Sequence, residues 1–213
     1  MKDSTYIFLE KLITRYPDLQ CVKGDIEKTY LILEETYKNN GKVLVCGNGG
    51  SAADCEHIVG ELMKGFLLHR NLSEKEEIAF NEYENGNYIA KGLQKGLQAI
   101  SLVSQSGLMT AFLNDCSPDL VFAQQIYTYM NPCDTLIALS TSGNSANVLN
   151  GVITAKTKGG KCVALTGERD SKISEFADCT IKLPSAETYK IQEYTLPVYH
   201  CICAMLEEEF FGE

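Results

Sequence analysis

Two groups of residues in this chain have types and spacings suited to chemistry. The first is acid–base. His57 and Glu61 stand four apart in an apolar–polar pattern of helical period, so both project from one face. Gln192 and His200 lie eight apart in a second helical stretch near the end of the chain. The second group is made of hydroxyls and glycines. Cys46-Gly47-Asn48-Gly49-Gly50-Ser51 and Ser140-Thr141-Ser142-Gly143-Asn144-Ser145 each follow an apolar run and precede a helical pattern. Free amide hydrogens at a helix N-terminus carry partial positive charge and hydroxyls add donors, so such a loop favours an anion. Neither loop is a common nucleotide motif. The lysine of a P-loop and the third glycine of a dinucleotide fingerprint are missing from both. With no basic residue in either loop, the chemistry is that of a monophosphate held by hydroxyls and amides. A single loop of this kind is equally a βα turn with a good cap; two of them, at the carboxyl ends of two strands, favour a site.

The elements that must position these residues alternate regularly. Apolar strands read at 42–46, 99–103, 135–139, 161–165 and 179–183, with helices at 51–65, 107–113, 120–130, 146–156 and 188–210. That alternation predicts an α/β fold, a three-layer sandwich whose five-stranded parallel sheet is flanked by helices. Residues 1–41 read as a helical arm broken at Pro17 and closed near Asn39-Asn40-Gly41, which needs a surface to pack on, a partner subunit being one candidate. Residues 42–213 form the main domain, interrupted at 67–95 by a polar, turn-rich insertion. The insertion reads either as a lid beside the His57 helix or as a surface excursion containing a short helix.

Composition narrows the function classes. A length of 213 residues suits one domain, and a net charge of −9 with no basic stripe argues against a nucleic-acid surface. Nine cysteines without zinc-ribbon spacing are expected as reduced thiols, those of Cys201 and Cys203 packed in an apolar helix. No signal peptide or membrane-length apolar run is visible, so the expected location is cytoplasmic.

The Gly47–Ser51 and Ser140–Ser145 loops together resemble the sugar isomerase (SIS) domain, and within it the phosphoheptose isomerase branch, from about Lys42 to the last helix. The resemblance implies a phosphosugar aldose–ketose isomerase with Glu61 as general base and His200 as its acid–base partner. It places Ser51, Ser140, Thr141, Ser142 and Ser145 on the phosphate, with Asn48, Gly49, Gly50, Asp115 and Gln192 also touching substrate. His57, Glu61, Gln192 and His200 match residues that bind zinc in some members, and homotetramers with sites at subunit interfaces are implied. Eight residues place Gln192 and His200 about 12 Å apart along a helix, which favours a site shared between subunits or a kink at Pro197. Asp115 reads equally as a helix N-cap. Two positions depart from the branch: Gly65 replaces an arginine, and Tyr189 an aspartate. The alternatives are a non-catalytic phosphosugar-binding or replication-initiator-associating regulator, which would lack Glu61 and His200, and an isomerase of another sugar phosphate.

Overall fold

The computed structural model describes residues 2–212. The chain runs α1 (Asp3–Arg15), a 3-10 turn (Pro17–Val22), α2 (Lys23–Lys38), β1 (Val43–Gly47), α3 (Gly50–Met63), α4 (Glu74–Phe80), α5 (Gly86–Gly92), β2 (Ala99–Ser101) and α6 (Ser106–Asp115). After a second 3-10 turn (Pro118–Leu120) come α7 (Val121–Tyr129), β3 (Thr135–Leu139), α8 (Ala146–Thr157), β4 (Lys161–Gly167), α9 (Lys172–Phe176), β5 (Cys179–Leu183) and α10 (Thr188–Phe211). The five strands make one all-parallel sheet in the order β2-β1-β3-β4-β5.

Alternation along the strands separates two apolar layers. Val43, Val45, Ile137, Leu139, Val163 and Leu165 face a cluster shared with α1, α2, α3 and α10. Leu44, Cys46, Leu136, Ala138, Cys162 and Ala164 face a second cluster with α7, α8 and α9. The three-layer sandwich is as expected. Strand β2 is shorter than the apolar run that announced it, ending at Ser101, and α9 lacked enough residues for a periodic signal. Left-handed geometry after α2 falls on Asn40 (φ 56°).

The N-terminal arm finds its surface on its own chain. Leu9, Leu19, Ile26, Tyr30 and Leu33 are buried in the cluster that α10 and β5 share. The 67–95 insertion holds α4 and α5, which pack on each other. A capping box opens α4: the Ser73 hydroxyl accepts from the Glu76 amide while the Glu76 carboxylate accepts from the Ser73 amide. All nine cysteines are free thiols, with Cys201 and Cys203 buried. Among the described residues no helix is long and apolar enough to cross a membrane.

Candidate active site

Strand order reverses between β1 and β3, with β2 on one side of β1 and β3 on the other. Ligands of open parallel sheets bind at such a switch point, off the carboxyl ends of the strands. Both serine–glycine loops sit there, the first after β1 and the second after β3. Two reciprocal amide bonds lock them together: Asn48 Nδ2 donates to Asn147 Oδ1 (2.9 Å) and Asn147 Nδ2 to Asn48 Oδ1 (3.0 Å).

The helices these loops open are left without side-chain caps. Gly49 stands at the N-cap of α3, and Ser145 holds the N-cap of α8 without capping it. The Ser145 hydroxyl instead pairs with that of Ser140 at 3.1 Å. Among the described residues only α4 and α9 carry side-chain caps, each a capping box. Bare N-termini at the switch point leave amides available to an anion. Ser51 and Ser140 are buried beside these amides. Gly143 turns the second loop in the left-handed region (φ 63°), and a Cβ there would lie 2.2 Å from Ser171 Oγ. The Ser142 hydroxyl accepts from the Asn144 amide, and the Thr141 carbonyl from the Gly167 amide. Thr141, Ser142, Ser185 and Thr188 line a cavity of about 210 Å³ with Arg169 on its wall. Arg169 lies in the turn after β4, outside both loops, where spacing alone offers no signal.

Gln192 belongs to this end of the site. Its amide lies where a Cβ on Gly50 would come, 2.4 Å from Nε2. Gly50→Ala is therefore expected to push the Gln192 amide aside, at small cost in stability because that amide is the free end of a flexible side chain. The KM for a sugar phosphate should rise several-fold with kcat held; steady-state kinetics beside a melting curve would check it.

The second group forms where α3 and α10 lie side by side. Gly50, Asp54, His57 and Glu61 recur at spacings of four, three and four, a single helical stripe. Facing it, α10 supplies Gln192, Tyr199, His200 and Glu207. His57 Nε2 lies 3.2 Å from Glu61 Oε1 and 3.4 Å from His200 Nε2. The Tyr199 hydroxyl meets His57 Nδ1 at 2.8 Å, and Asp54 Oδ1 lies 3.4 Å from the same hydroxyl. Tyr199 also packs edge-on against both imidazoles, with centroids 5.4 and 4.9 Å away. Lys64 Nζ stands 3.3 Å from the other Glu61 oxygen.

Where the Tyr199 hydroxyl donates to Nδ1, the ring proton of His57 sits on Nε2, directed at the Glu61 carboxylate; where it donates to Asp54, that proton sits on Nδ1 and is given to the Tyr199 oxygen. Burial lowers the His200 pKa below its ordinary 6.5, the neighbouring His57 adds to this, and Glu61 opposes it; His200 is thus neutral at pH 7, able to give or take a proton. Burial raises the Asp54 pKa against the pull of Tyr199 and His57. Burial likewise drives the Tyr199 pKa far up, so its hydroxyl stays protonated.

One chain brings together His57, Glu61 and His200, but Gln192 is two turns away against Gly50. The expected four-residue metal set is therefore not assembled within a single chain, and among the described residues no group of three or more His, Cys, Asp or Glu is arranged to hold an ion. The donor chemistry suits zinc, yet His57 would also have to present a bare Nε2, with the Tyr199 hydroxyl turned to Asp54. Asp115 stays apart. It ends α6 instead of capping a helix start, which overturns the N-cap reading, and its carboxylate accepts from the Asn114 side-chain Nδ2 at 2.8 Å.

Residues 97–205 match a SIS domain model, and residues 13–94 match a second SIS domain model. The chain belongs to the SIS-domain family. This SIS-domain chain is 37% identical over 173 residues to a phosphoheptose isomerase of Burkholderia pseudomallei, covering 81% of this chain and 76% of the relative. It is 35% identical over 192 residues to a phosphoheptose isomerase of Helicobacter pylori, covering 90% and 88%. A solved phosphoheptose isomerase from Francisella tularensis superposes with a TM-score of 0.74 at 26% identity, over 98% of this chain and all of that one.

Spacing did not single out Tyr199 and Asp54 in this SIS-domain site. The signal was present: Asp54 shares the stripe of His57 and Glu61, and Tyr199 lies seven residues, two helical turns, from Gln192. Tyr199→Phe keeps the ring contacts and removes the hydroxyl that orients His57. It is expected to leave the melting temperature within a few degrees and to lower kcat on the order of 10-fold, the lower end of what loss of an orienting partner costs.

Proposed function

We propose that this SIS-domain protein is an aldose–ketose isomerase that converts sedoheptulose 7-phosphate to D-glycero-D-manno-heptose 7-phosphate through an enediol. The relatives named phosphoheptose isomerase support this reading, and one observation carries it: His57 and Glu61, on the helix whose bare N-terminus forms the anion cradle, meet His200 of α10. From Ser51 to His57 the helix rises about 9 Å, the order of length of an extended seven-carbon chain with its phosphate at one end.

In the proposed reaction the phosphate lies on the hydroxyls of Ser51, Ser140, Thr141, Ser142 and Ser145 and on the amides opening α3 and α8. Asn48, Gly49, Gly50 and Gln192 line the sugar's path. The Glu61 carboxylate removes a proton from C1 of the ketose, the C1–C2 enediol forms, and the same carboxyl returns a proton to C2. Neutral His200 moves the accompanying proton between the C1 and C2 oxygens. The His57 N–H holds the Glu61 carboxylate in place between these steps.

The finer parts of the proposal rest on chemistry. A zinc ion would take His57, Glu61 and His200 as ligands and polarise the carbonyl, its remaining ligand coming from outside these three; no step above depends on it. A homotetramer is supported by a groove of about 360 Å³ between α1 and α10, lined by Phe8, Leu12, Phe66, Leu196 and His200, which a second copy would cover. Nine unpaired thiols suit a reducing, cytoplasmic setting.

The test is turnover of sedoheptulose 7-phosphate in D2O, followed by proton NMR with and without added zinc. Deuterium at C2 of an aldoheptose product is the expected result. A sugar phosphate that binds and is never turned over, under either condition, would reject the isomerase reading.

A further inference from the structure

The strongest electrostatic feature outside the site lies one turn beyond it. Arg70 and Glu207 form an ion pair at 2.8 Å with side-chain exposures of 0% and 1%. Glu207, on α10, accepts from four donors: the amides of Phe66, Leu67 and Leu68 and Arg70 Nε. Arg70 spends its other nitrogens on the end of α3. Its Nη1 donates to the Leu62 carbonyl at 2.7 Å and its Nη2 to the Glu61 carbonyl at 3.1 Å. The guanidinium face stacks on Phe211, 4.7 Å from the ring centroid.

A helix ends with carbonyls that lack intrahelical partners. Here two of them belong to Glu61, the proposed base, and its neighbour, and one planar cation from outside the helix donates to both, joined at the Leu62 carbonyl by the Leu97 amide. Lysine has a single nitrogen and no fork, so it cannot bind both carbonyls and Glu207 in this geometry. The anchor is also local. Lys95 N donates to the Arg70 carbonyl (2.7 Å), Leu97 N to the Leu62 carbonyl (2.9 Å) and Gly65 N to Gln94 Oε1 (3.0 Å). The two ends of the 67–95 insertion therefore close on one another at Arg70.

We infer that Arg70 is a positioning residue for the isomerisation: through the Glu61 and Leu62 carbonyls it fixes the last turn of α3, and with it the Glu61 carboxylate. Glu207 holds Arg70 in that role. The phosphate cradle, at the opposite end of α3, is independent of it. The inference deepens the isomerase reading and rests on it.

Arg70→Lys separates positioning from mere stapling. Displacement of Glu61 by about 1 Å should lower kcat on the order of 10–100-fold, while KM stays within about twofold because phosphate binding is remote. Amide hydrogen exchange in the last turn of α3 should quicken and that at Gly50–Ser51 should not. Phe211→Leu, which loosens the guanidinium without touching its bonds, is the milder variant should Arg70→Lys fold poorly; it should lower kcat several-fold at constant KM. A folded Arg70→Lys with wild-type kcat, or one in which KM rises in step with the loss of kcat, overturns the inference. Wild-type protein that turns nothing over defeats the isomerase reading instead, so the two failures are distinct.

Discussion

Glu61→Gln is expected to abolish measurable deuterium incorporation at C2 and to lower turnover by about 10²–10⁴-fold, the range for removing a positioned general base. Binding of the sugar phosphate should change little. The amide is isosteric, and the cradle lies on other residues: Ser51, Ser140 and Ser145 and two uncapped helix starts. His57 would keep an acceptor, since the amide oxygen can take the place of the carboxylate oxygen now 3.2 Å from Nε2. The fold should therefore persist while the chemistry stops. Titration calorimetry with the ketose phosphate, beside the NMR assay, reads both quantities. Turnover that survives the substitution would move the base to another group, His57 or His200.

Glu207→Ala is expected to carry the largest stability loss in the chain. It strands a fully buried guanidinium and leaves the amides of Phe66, Leu67 and Leu68 without an acceptor. Breaking one side of a buried pair costs about 3–5 kcal/mol, a large fraction of the ~5–15 kcal/mol that holds a domain folded. Denaturant unfolding at pH 7 measures it as a fall in midpoint. Joint replacement of Arg70 and Glu207 by methionine should recover only part of the loss, because the three amides still lack a partner. A Glu207→Ala midpoint within experimental error of wild type would show that water reaches the pair.

Much of this was legible in the residues. The five apolar runs gave all five strands, because buried parallel strands read as continuous hydrophobic segments. The two loops were legible because glycine and serine between a strand and a helix have few other uses. The places of Gln192 and His200 were not separable by spacing: α10 sets the Gln192 amide against Gly50 and the His200 ring against His57. Tyr199 was hidden in an apolar stretch where a tyrosine reads as core; its ring is buried there, while its edge and hydroxyl meet the site. Arg70 and Glu207 were equally silent. They lie 137 positions apart, and nothing local marks either as buried. The 67–95 insertion read as a lid or as a surface excursion containing one short helix; it holds two, and Ser73 and Glu76 carried the spacing of the first one's start.

The closure at Arg70 and Lys95 also bears on how this chain tolerates change. Because the insertion leaves and returns at hydrogen-bonded neighbours 2.7 Å apart, its two ends are held together whatever lies between them. The entropy of closing such a loop grows only with the logarithm of its length, about 0.6 kcal/mol for each doubling. Residues 71–93 are in effect a side branch on the main path of the polypeptide. Their length and sequence can drift between relatives, or be exchanged for another folded segment, while the helix beneath keeps its register.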